Sequence, residues 1–273
     1  MGAGIAQVLL ESGADVTVVE SGADRVSAAG ERVADGVRRR LKRDDDAEST
    51  AAERLARLTV VDGLAAAAER DAAPALVVEA VPEDVDLKRA VLADVQRHLP
   101  DTSLVASNTS SLSIGSLAEG LDHPERFCGM HFFNPVPRSK LVEVIRGDAT
   151  SSDTVDAAVA WVARLDKEAI VVGDSPGFAT SRLGVVIGLE AIRMVEAGVA
   201  SADDIDQGMV LGYGFPMGPL RLTDLVGLDV RLGIAEHLAR TLGPRFEPPQ
   251  LLRDMVAAGN LGQKTGQGFY TWP

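Results

Sequence analysis

The stretch Gly2–Glu20, GAGIAQVLLESGADVTVVE, sets the fold of the first half of the chain. Small residues open an apolar helical segment, and the β-branched run Val16–Val19 follows and ends in an acid, Glu20. This order is typical of a dinucleotide-binding βαβ unit, where a pyrophosphate lies on a helix N-terminus and a strand-end acid binds the ribose hydroxyls. We interpret Gly2 as the third glycine of such a unit, and the charge of Glu20 favours NAD over NADP.

The printed sequence has neither a strand before Gly2 nor the first two glycines of the turn. The first strand of a doubly wound sheet is central, and each backbone group left buried and unpaired costs about 1–3 kcal/mol. We therefore expect Met1 to be an internal methionine of the glycine turn, with the natural protein starting about a dozen residues upstream.

Short apolar runs alternate with helical stretches through the first half, which predicts an α/β domain with a parallel sheet and crossover helices. Strands are predicted at 16–20, 58–61, 75–80, 104–107, 127–132, 141–145 and 169–172. Helices are predicted between them at 4–12, 23–43, 85–98 and 152–165.

The pattern changes at the turn-rich segment Gly173–Gly177. After it the chain has only helical periodicity, with predicted helices at 181–197, 202–211, 220–226, 230–241 and 249–258. We therefore predict two domains, an α/β domain at 1–173 and an all-α domain at 174–273.

Composition excludes several classes of function. The chain has 273 residues, 46% of them hydrophobic, and a net charge of −13, which argues against a nucleic-acid partner. The single cysteine, Cys128, excludes an internal disulfide and suggests a reducing setting, and no apolar run is long enough to span a bilayer. We expect a cytoplasmic protein, and we assign no metal ligand.

Polar residues mark the ends of several predicted strands. The motif His131–Pro135, HFFNP, ends one apolar run, and Glu143 follows twelve residues after the histidine on a second β-patterned run that can return beside the first. Such a carboxylate can hold an imidazole in one tautomer and stabilise its protonated form. Ser107–Ser111 adds hydroxyls and an amide at the end of another strand, so together these clusters predict a site.

Each of these residues also has a purely structural interpretation. His131 could be a core histidine, and Glu143 could be a solvated strand residue. Ser110 and Ser111 could cap the following helix, while Asn134 before a proline fits an ordinary turn. All four interpretations must hold together to remove the site.

Five motifs carry a resemblance that covers essentially the whole chain. They are VEAVPE at 78–83, SNTSS at 107–111, HFFNP at 131–135 with Pro137, KLVEVI at 140–145 and DSPGF at 174–178. The chain resembles the 3-hydroxyacyl-CoA dehydrogenases, in particular the small bacterial 3-hydroxybutyryl-CoA dehydrogenase type. The resemblance implies a Rossmann-type NAD domain followed by an all-helical domain that forms a homodimer.

The resemblance also implies roles for the site residues. His131 corresponds to the catalytic histidine, Glu143 to the acid that pairs with it, and Ser110 to the serine that hydrogen-bonds the substrate. Asn134 lies on the same catalytic loop. His131 would exchange the proton of the 3-hydroxyl group while C3 exchanges a hydride with the nicotinamide.

On the cofactor side, the resemblance places Glu83 at the nicotinamide end of NAD. We assign Asn108 to the same cofactor site, together with Gly2 and Glu20.

Two positions depart from the family pattern. Ser181 replaces an asparagine, and a hydroxyl is shorter and lacks the second donor of an amide. We keep Ser181 in the site and expect altered substrate positioning. Arg138 and Ser139 replace an apolar pair before Lys140, which adds a positive charge near the acyl or CoA path.

A basic cluster, Arg38–Arg40 with Lys42 and Arg43, lies on the long helix after Glu20. In the family this region contacts CoA, so we assign Arg40 and Arg43 to recognition of the substrate's phosphates. The alternative is a solvated helical face balanced by the acidic run Asp44–Asp46.

We therefore predict an NAD-dependent oxidoreductase that reversibly oxidises (S)-3-hydroxyacyl-CoA, such as 3-hydroxybutyryl-CoA, with a His–Glu acid–base pair. One alternative is a non-enzymatic homologue that keeps the dimer and CoA binding but has lost the NAD site. The related β-hydroxyacid dehydrogenases are a weaker alternative, because they use a helix lysine where this chain has the histidine motif.

Overall fold

The chain folds into two compact units, Met1–Asp174 and Ser175–Pro273. The computed structural model describes residues 1–42, 46–69, 73–98, 100 and 102–273. The division falls one residue beyond the predicted boundary. Within these ranges, no helix combines the length and the apolar character needed to cross a bilayer.

The first unit alternates helices with strands, and most of the strands lie where the sequence predicts them. Its helices are α1 (Gly2–Glu11), α2 (Ala23–Leu41), α3 (Ala47–Leu55), α4 (Leu64–Ala68), α5 (Val85–His98), α6 (Ile114–Ala118) and α7 (Ser152–Arg164). Its strands are β1 (Val16–Glu20), β2 (Leu58–Asp62), β3 (Leu76–Glu79), β4 (Leu104–Ser107), β5 (Phe127–Phe132), β6 (Leu141–Arg146) and β7 (Glu168–Gly173).

The strands of this unit form two sheets. β1 and β2 pair in parallel, and a separate sheet has the order β3-β4-β5-β6-β7. Within the second sheet every pair is parallel except β5 with β6, which is antiparallel. The parallel sheet predicted from the sequence is confirmed, with one antiparallel pair, β5 with β6, because the connection of residues 133–140 is too short for a crossover helix.

Helix α1 is apolar on two faces and packs into two hydrophobic clusters. Ile5 and Val8 pack in the cluster of the five-stranded sheet, and Ala6 and Leu10 pack in the cluster that includes α2. Gly4 allows close approach, because a Cβ there would lie 3.0 Å from the Cβ of Val136. The start of α1 therefore lies against the connection that follows β5.

The second unit is helical, as predicted. Its helices are α8 (Thr180–Glu196), α9 (Ala202–Tyr213), α10 (Pro219–Val226), α11 (Leu228–Leu242) and α12 (Gln250–Ala257).

Two buried carboxylates hold the start of α10 and the C-terminal segment of this unit in place. Asp206 accepts hydrogen bonds from the N–H groups of Leu220 and Arg221 at the start of α10. Asp224 accepts bonds from the N–H of Tyr270 and from the Trp272 indole, which fastens the C-terminal segment.

Candidate active site

The centre of the candidate site is a buried histidine–glutamate pair. His131 on β5 and Glu143 on β6 are directly opposite in the antiparallel register. The Nδ1 atom of His131 lies 2.7 Å from Oε2 of Glu143. His131 is 7% exposed and Glu143 is fully buried, so the pair is shielded from water on the carboxylate side.

The contact fixes the orientation of the imidazole. A carboxylate can only accept a hydrogen bond, so Nδ1 carries the proton and Nε2 presents its lone pair when the ring is neutral. The Phe133 ring packs against the imidazole with a centroid distance of 4.5 Å and an angle of 49°. This arrangement can accept a proton at Nε2 and stabilise the imidazolium that forms.

Strand β5 can approach β6 closely because Gly129 has no side chain. A Cβ at this position would lie 2.8 Å from Cβ of Ile145 and 2.9 Å from Cδ1 of Ile114. A larger residue at position 129 would therefore disturb the strand pairing two residues before His131.

Asn108 joins the carboxyl ends of three strands. Its backbone N–H donates to the carbonyl oxygen of Glu79 at the end of β3, and its Oδ1 accepts from the N–H of Phe132 at 2.9 Å. The SNTSS segment is therefore held beside the end of the strand that carries His131. This is the edge of a parallel sheet where ligands bind in open α/β folds.

Glu83 is fixed by the same segment. Its Oε1 accepts hydrogen bonds from the hydroxyl of Thr109 and from the backbone N–H groups of Ser110 and Ser111. Burial raises the pKa of this carboxyl, but these hydrogen bonds and the charge of Lys88 outweigh it and lower the pKa below its usual value. Ser110 and Ser111 thus bind Glu83, while Ser113 provides the helix cap of α6 that was their alternative role.

Lys88 on α5 supports this arrangement, although no sequence motif points to it. Its Nζ lies 2.7 Å from Oε1 of Glu79 and 3.5 Å from Oε2 of Glu83, and the side chain is 1% exposed. The hydroxyl of Ser107 donates to the other oxygen of Glu79. In the sequence, the only sign of the burial of Lys88 is its spacing of four residues from Leu92, which places both side chains on the same face of α5.

Two of the residues predicted to hold NAD, Gly2 and Glu20, lie at a helix start and at a strand end, the positions that contact the cofactor in a dinucleotide-binding unit. Gly2 is the first residue of α1, whose N-cap makes no side-chain hydrogen bond, so the first N–H groups of the helix can receive a phosphate. A Cβ on Gly2 would meet only Ala80, at 3.8 Å. Glu20 is the last residue of β1, at the position expected for a ribose ligand.

The remaining predicted residues lie in several places. Asn134 is exposed and begins the connection after Phe133, and Arg40 is exposed in the last turn of α2. Arg43 lies outside the described residues. Ser181 lies in the first turn of α8, in the second unit, and is half-buried. Across the part of the chain that the structure describes, no cluster of side chains could hold a metal ion.

Both halves of the chain match known families. Residues 1–175 match the 3-hydroxyacyl-CoA dehydrogenase NAD binding domain, and residues 177–272 match the 3-hydroxyacyl-CoA dehydrogenase C-terminal domain.

Individual relatives match over the whole chain. A 3-hydroxybutyryl-CoA dehydrogenase of Mycobacterium tuberculosis is 39% identical over 275 residues, which cover 100% of this chain and 95% of the relative. The mitochondrial hydroxyacyl-coenzyme A dehydrogenase of Rattus norvegicus is 38% identical, with 100% and 88% covered. The crystal structure of (S)-3-hydroxybutyryl-CoA dehydrogenase from Ralstonia eutropha superposes with a TM-score of 0.93 at 39% identity, covering 100% of this chain and 95% of that one.

Proposed function

Because the chain belongs to the 3-hydroxyacyl-CoA dehydrogenase family of NAD-dependent oxidoreductases, we propose that His131 and Glu143 are its acid–base pair. The reaction is the reversible oxidation of an (S)-3-hydroxyacyl-CoA, such as 3-hydroxybutyryl-CoA, to the 3-oxoacyl-CoA. The observation that carries the proposal is the 2.7 Å contact between His131 Nδ1 and Glu143 Oε2. The non-enzymatic alternative is disfavoured because both halves of the chain match dehydrogenase domains.

The proposed mechanism assigns the proton to this chain and the electron pair to the cofactor. When bound, NAD supplies the hydride acceptor for C3 of the substrate. Nε2 of His131 removes the proton of the 3-hydroxyl group, and the buried Glu143 stabilises the imidazolium through Nδ1. In the reverse direction His131 returns the proton to the forming hydroxyl oxygen.

Three further side chains position the substrate in this proposal. The hydroxyl of Ser110 binds the reacting oxygen, while Asn134 and Ser181 orient the acyl-CoA. The fixed backbone of Ser110, whose N–H donates to Glu83 at 2.9 Å, supports a defined position for its hydroxyl.

For the cofactor, Gly2 and Glu20 would hold the pyrophosphate and the ribose, Glu83 would lie at the nicotinamide end, and Asn108 would also contact NAD. Arg40, together with Arg43, would bind the phosphates of CoA, which a guanidinium can bind in bidentate geometry.

We also propose a homodimer in the cytoplasm. The second unit exposes large apolar side chains on several of its helices, which supports association through this unit. They include Leu183 (59% exposed), Leu222 (40%), Leu225 (38%), Val226 (40%) and Val230 (44%), besides Leu211 and Tyr213, and Val199 just after α8 is exposed as well. Sedimentation of the purified chain tests the dimer.

The direct test is oxidation of NADH by the purified chain with acetoacetyl-CoA, followed at 340 nm beside the same assay with NADPH. We expect turnover with NADH and a clear preference over NADPH, because the Glu20 carboxylate repels a 2′-phosphate. Production of NADH from (S)-3-hydroxybutyryl-CoA would demonstrate the reverse direction. No turnover by a folded chain with either cofactor would contradict the proposal and favour a non-enzymatic homologue.

A further inference from the structure

The second unit contains a buried arginine that has no ion-pair partner among the described residues. Arg231 on α11 is 7% exposed. Its Nε atom is sealed from solvent and has no hydrogen-bond acceptor in the part of the chain that the structure describes. Within the described ranges of the chain, no carboxylate forms an ion pair with its guanidinium.

The buried charge of Arg231 is energetically unfavourable. A buried charge whose partner is missing strongly destabilises a fold, so buried arginines are normally paired. Burial lowers the pKa of Arg231 to about 10, so the guanidinium is still charged at neutral pH. Arg231 also lies at the end of the first turn of α11, near the positive end of the helix dipole, which makes an unpaired cation there less favourable still.

The surroundings of Arg231 are shaped to hold the guanidinium. The group lies against Gly184 on α8, where a Cβ would be 3.1 Å from Nη1 and 3.8 Å from Nη2. Gly184 and Ser181 are three residues apart in the first turns of α8, so they lie on one side of the helix. The guanidinium is therefore about one helical turn from the hydroxyl that replaces the family's asparagine.

We propose that Arg231 and Ser181 form a subsite for an anionic oxygen on the acyl chain, so that the preferred substrates are 3-hydroxyacyl-CoA thioesters ending in a carboxylate. This inference rests on the proposed function, which places Ser181 on the substrate. A carboxylate matches the planar guanidinium in bidentate geometry and supplies the charge that the fold leaves unpaired. The alternative partner is a carbonyl or carboxylate of a second copy of this chain.

The test compares two six-carbon 3-hydroxyacyl-CoA substrates, one ending in a carboxylate and one ending in a methyl group. A hydrogen bond to a charged group contributes about 1.5–3 kcal/mol, so we expect kcat/KM to be about 10- to 100-fold higher for the carboxylate-ended substrate. Arg231→Met should abolish this preference, so that the ratio of kcat/KM for the two substrates falls to about 1. Arg240→Met, on the exposed side of the same helix, is the matched control and should keep the preference.

Gly184→Ala provides a second variant if Arg231→Met does not fold. Its added methyl group displaces the guanidinium and should reduce the preference without removing a charge. The inference is overturned if the wild-type chain turns over both substrates equally, or if neither variant changes their ratio. A ratio that stays constant while Arg231→Met weakens the dimer in sedimentation would assign Arg231 to the subunit interface, which also overturns it. Failure of the wild-type chain on both substrates would instead reject the proposed function.

Discussion

Among its described residues, the first unit contains two histidine–glutamate pairs that differ in their surroundings. His131 and Glu143 lie 2.7 Å apart, with side chains 9% and 0% exposed. His123 and Glu125 lie 3.2 Å apart, with side chains 37% and 49% exposed. The imidazole and carboxylate are thus held in a buried contact in the pair His131–Glu143, whereas in the pair His123–Glu125 they are exposed to water.

The difference follows from the backbone that carries each pair. His131 and Glu143 are twelve residues apart but opposite each other on two hydrogen-bonded strands, so strand register fixes their distance. His123 and Glu125 are two residues apart around the start of a short 3-10 turn, where water and salt screen their charges. We infer that burial and register, more than the residue types, qualify the first pair for proton transfer.

The largest predicted effect comes from removing the proposed base. His131→Asn keeps a donor toward Glu143 but has no Nε2, so kcat should fall about 10³-fold, or about 4 kcal/mol. His123→Asn is the matched control and should change kcat less than about 2-fold. Steady-state NADH kinetics measure both variants, and an equal effect of the two substitutions would contradict the comparison.

Neutralising the buried acid should have the next largest effect. Glu143→Gln keeps the shape of the side chain but cannot stabilise an imidazolium by charge, so kcat should fall about 10²-fold, or about 2.7 kcal/mol. Glu125→Gln should leave kcat unchanged, because its carboxylate is hydrated. A loss confined to KM would show that Glu143 contributes to binding alone.

The pairing of β5 and β6 can be strained without altering either member of the buried pair. Gly129→Ala places a methyl group 2.8 Å from Ile145, and overpacking of this kind costs about 1–3 kcal/mol. Gly233→Ala on α11 has no atom within 4 Å of the new methyl group and should be neutral or stabilising. Urea unfolding of the two variants gives the difference, and equal stabilities would contradict the close packing of the strands.

The smallest predicted effect is the pH dependence contributed by Glu83. Its pKa is lowered in the folded protein, so its stabilisation is complete above the unfolded pKa and is lost as the pH falls through the folded pKa. Glu83→Gln should therefore reduce the decline of stability below about pH 4.5 and change its slope little at neutral pH. Thermal unfolding across this range tests the sign, and a steeper acid decline in the variant would contradict it.

The spacing of apolar residues along the sequence predicts much of this architecture. The strands β1, β4 and β5 have the bounds expected from their apolar runs, and the buried histidine–glutamate pair follows from two such runs joined by a short connection. The helices α3, α4 and α6 were missed, because they have only five to nine residues, which is short for a periodic pattern to be recognised.

Other features depend on contacts that sequence does not display. In the sequence, Lys88 is one of several charged residues on α5, and nothing distinguishes it from the others. Only the packing of that helix brings it to Glu79 and Glu83. In the sequence, Arg231 cannot be told from an ordinary helical arginine. Only the folded unit shows that its Nε atom has no hydrogen-bond acceptor among the described residues.

The central claim is that Glu143 acts through His131, and a double-mutant cycle on kcat tests it most directly. If the two residues act as one unit, the double variant His131→Asn/Glu143→Gln should be no slower than His131→Asn alone, which gives a coupling of about 2.7 kcal/mol. If the losses instead multiply to about 10⁵-fold, the two residues act independently, and the acid–base pair proposed for this chain is contradicted.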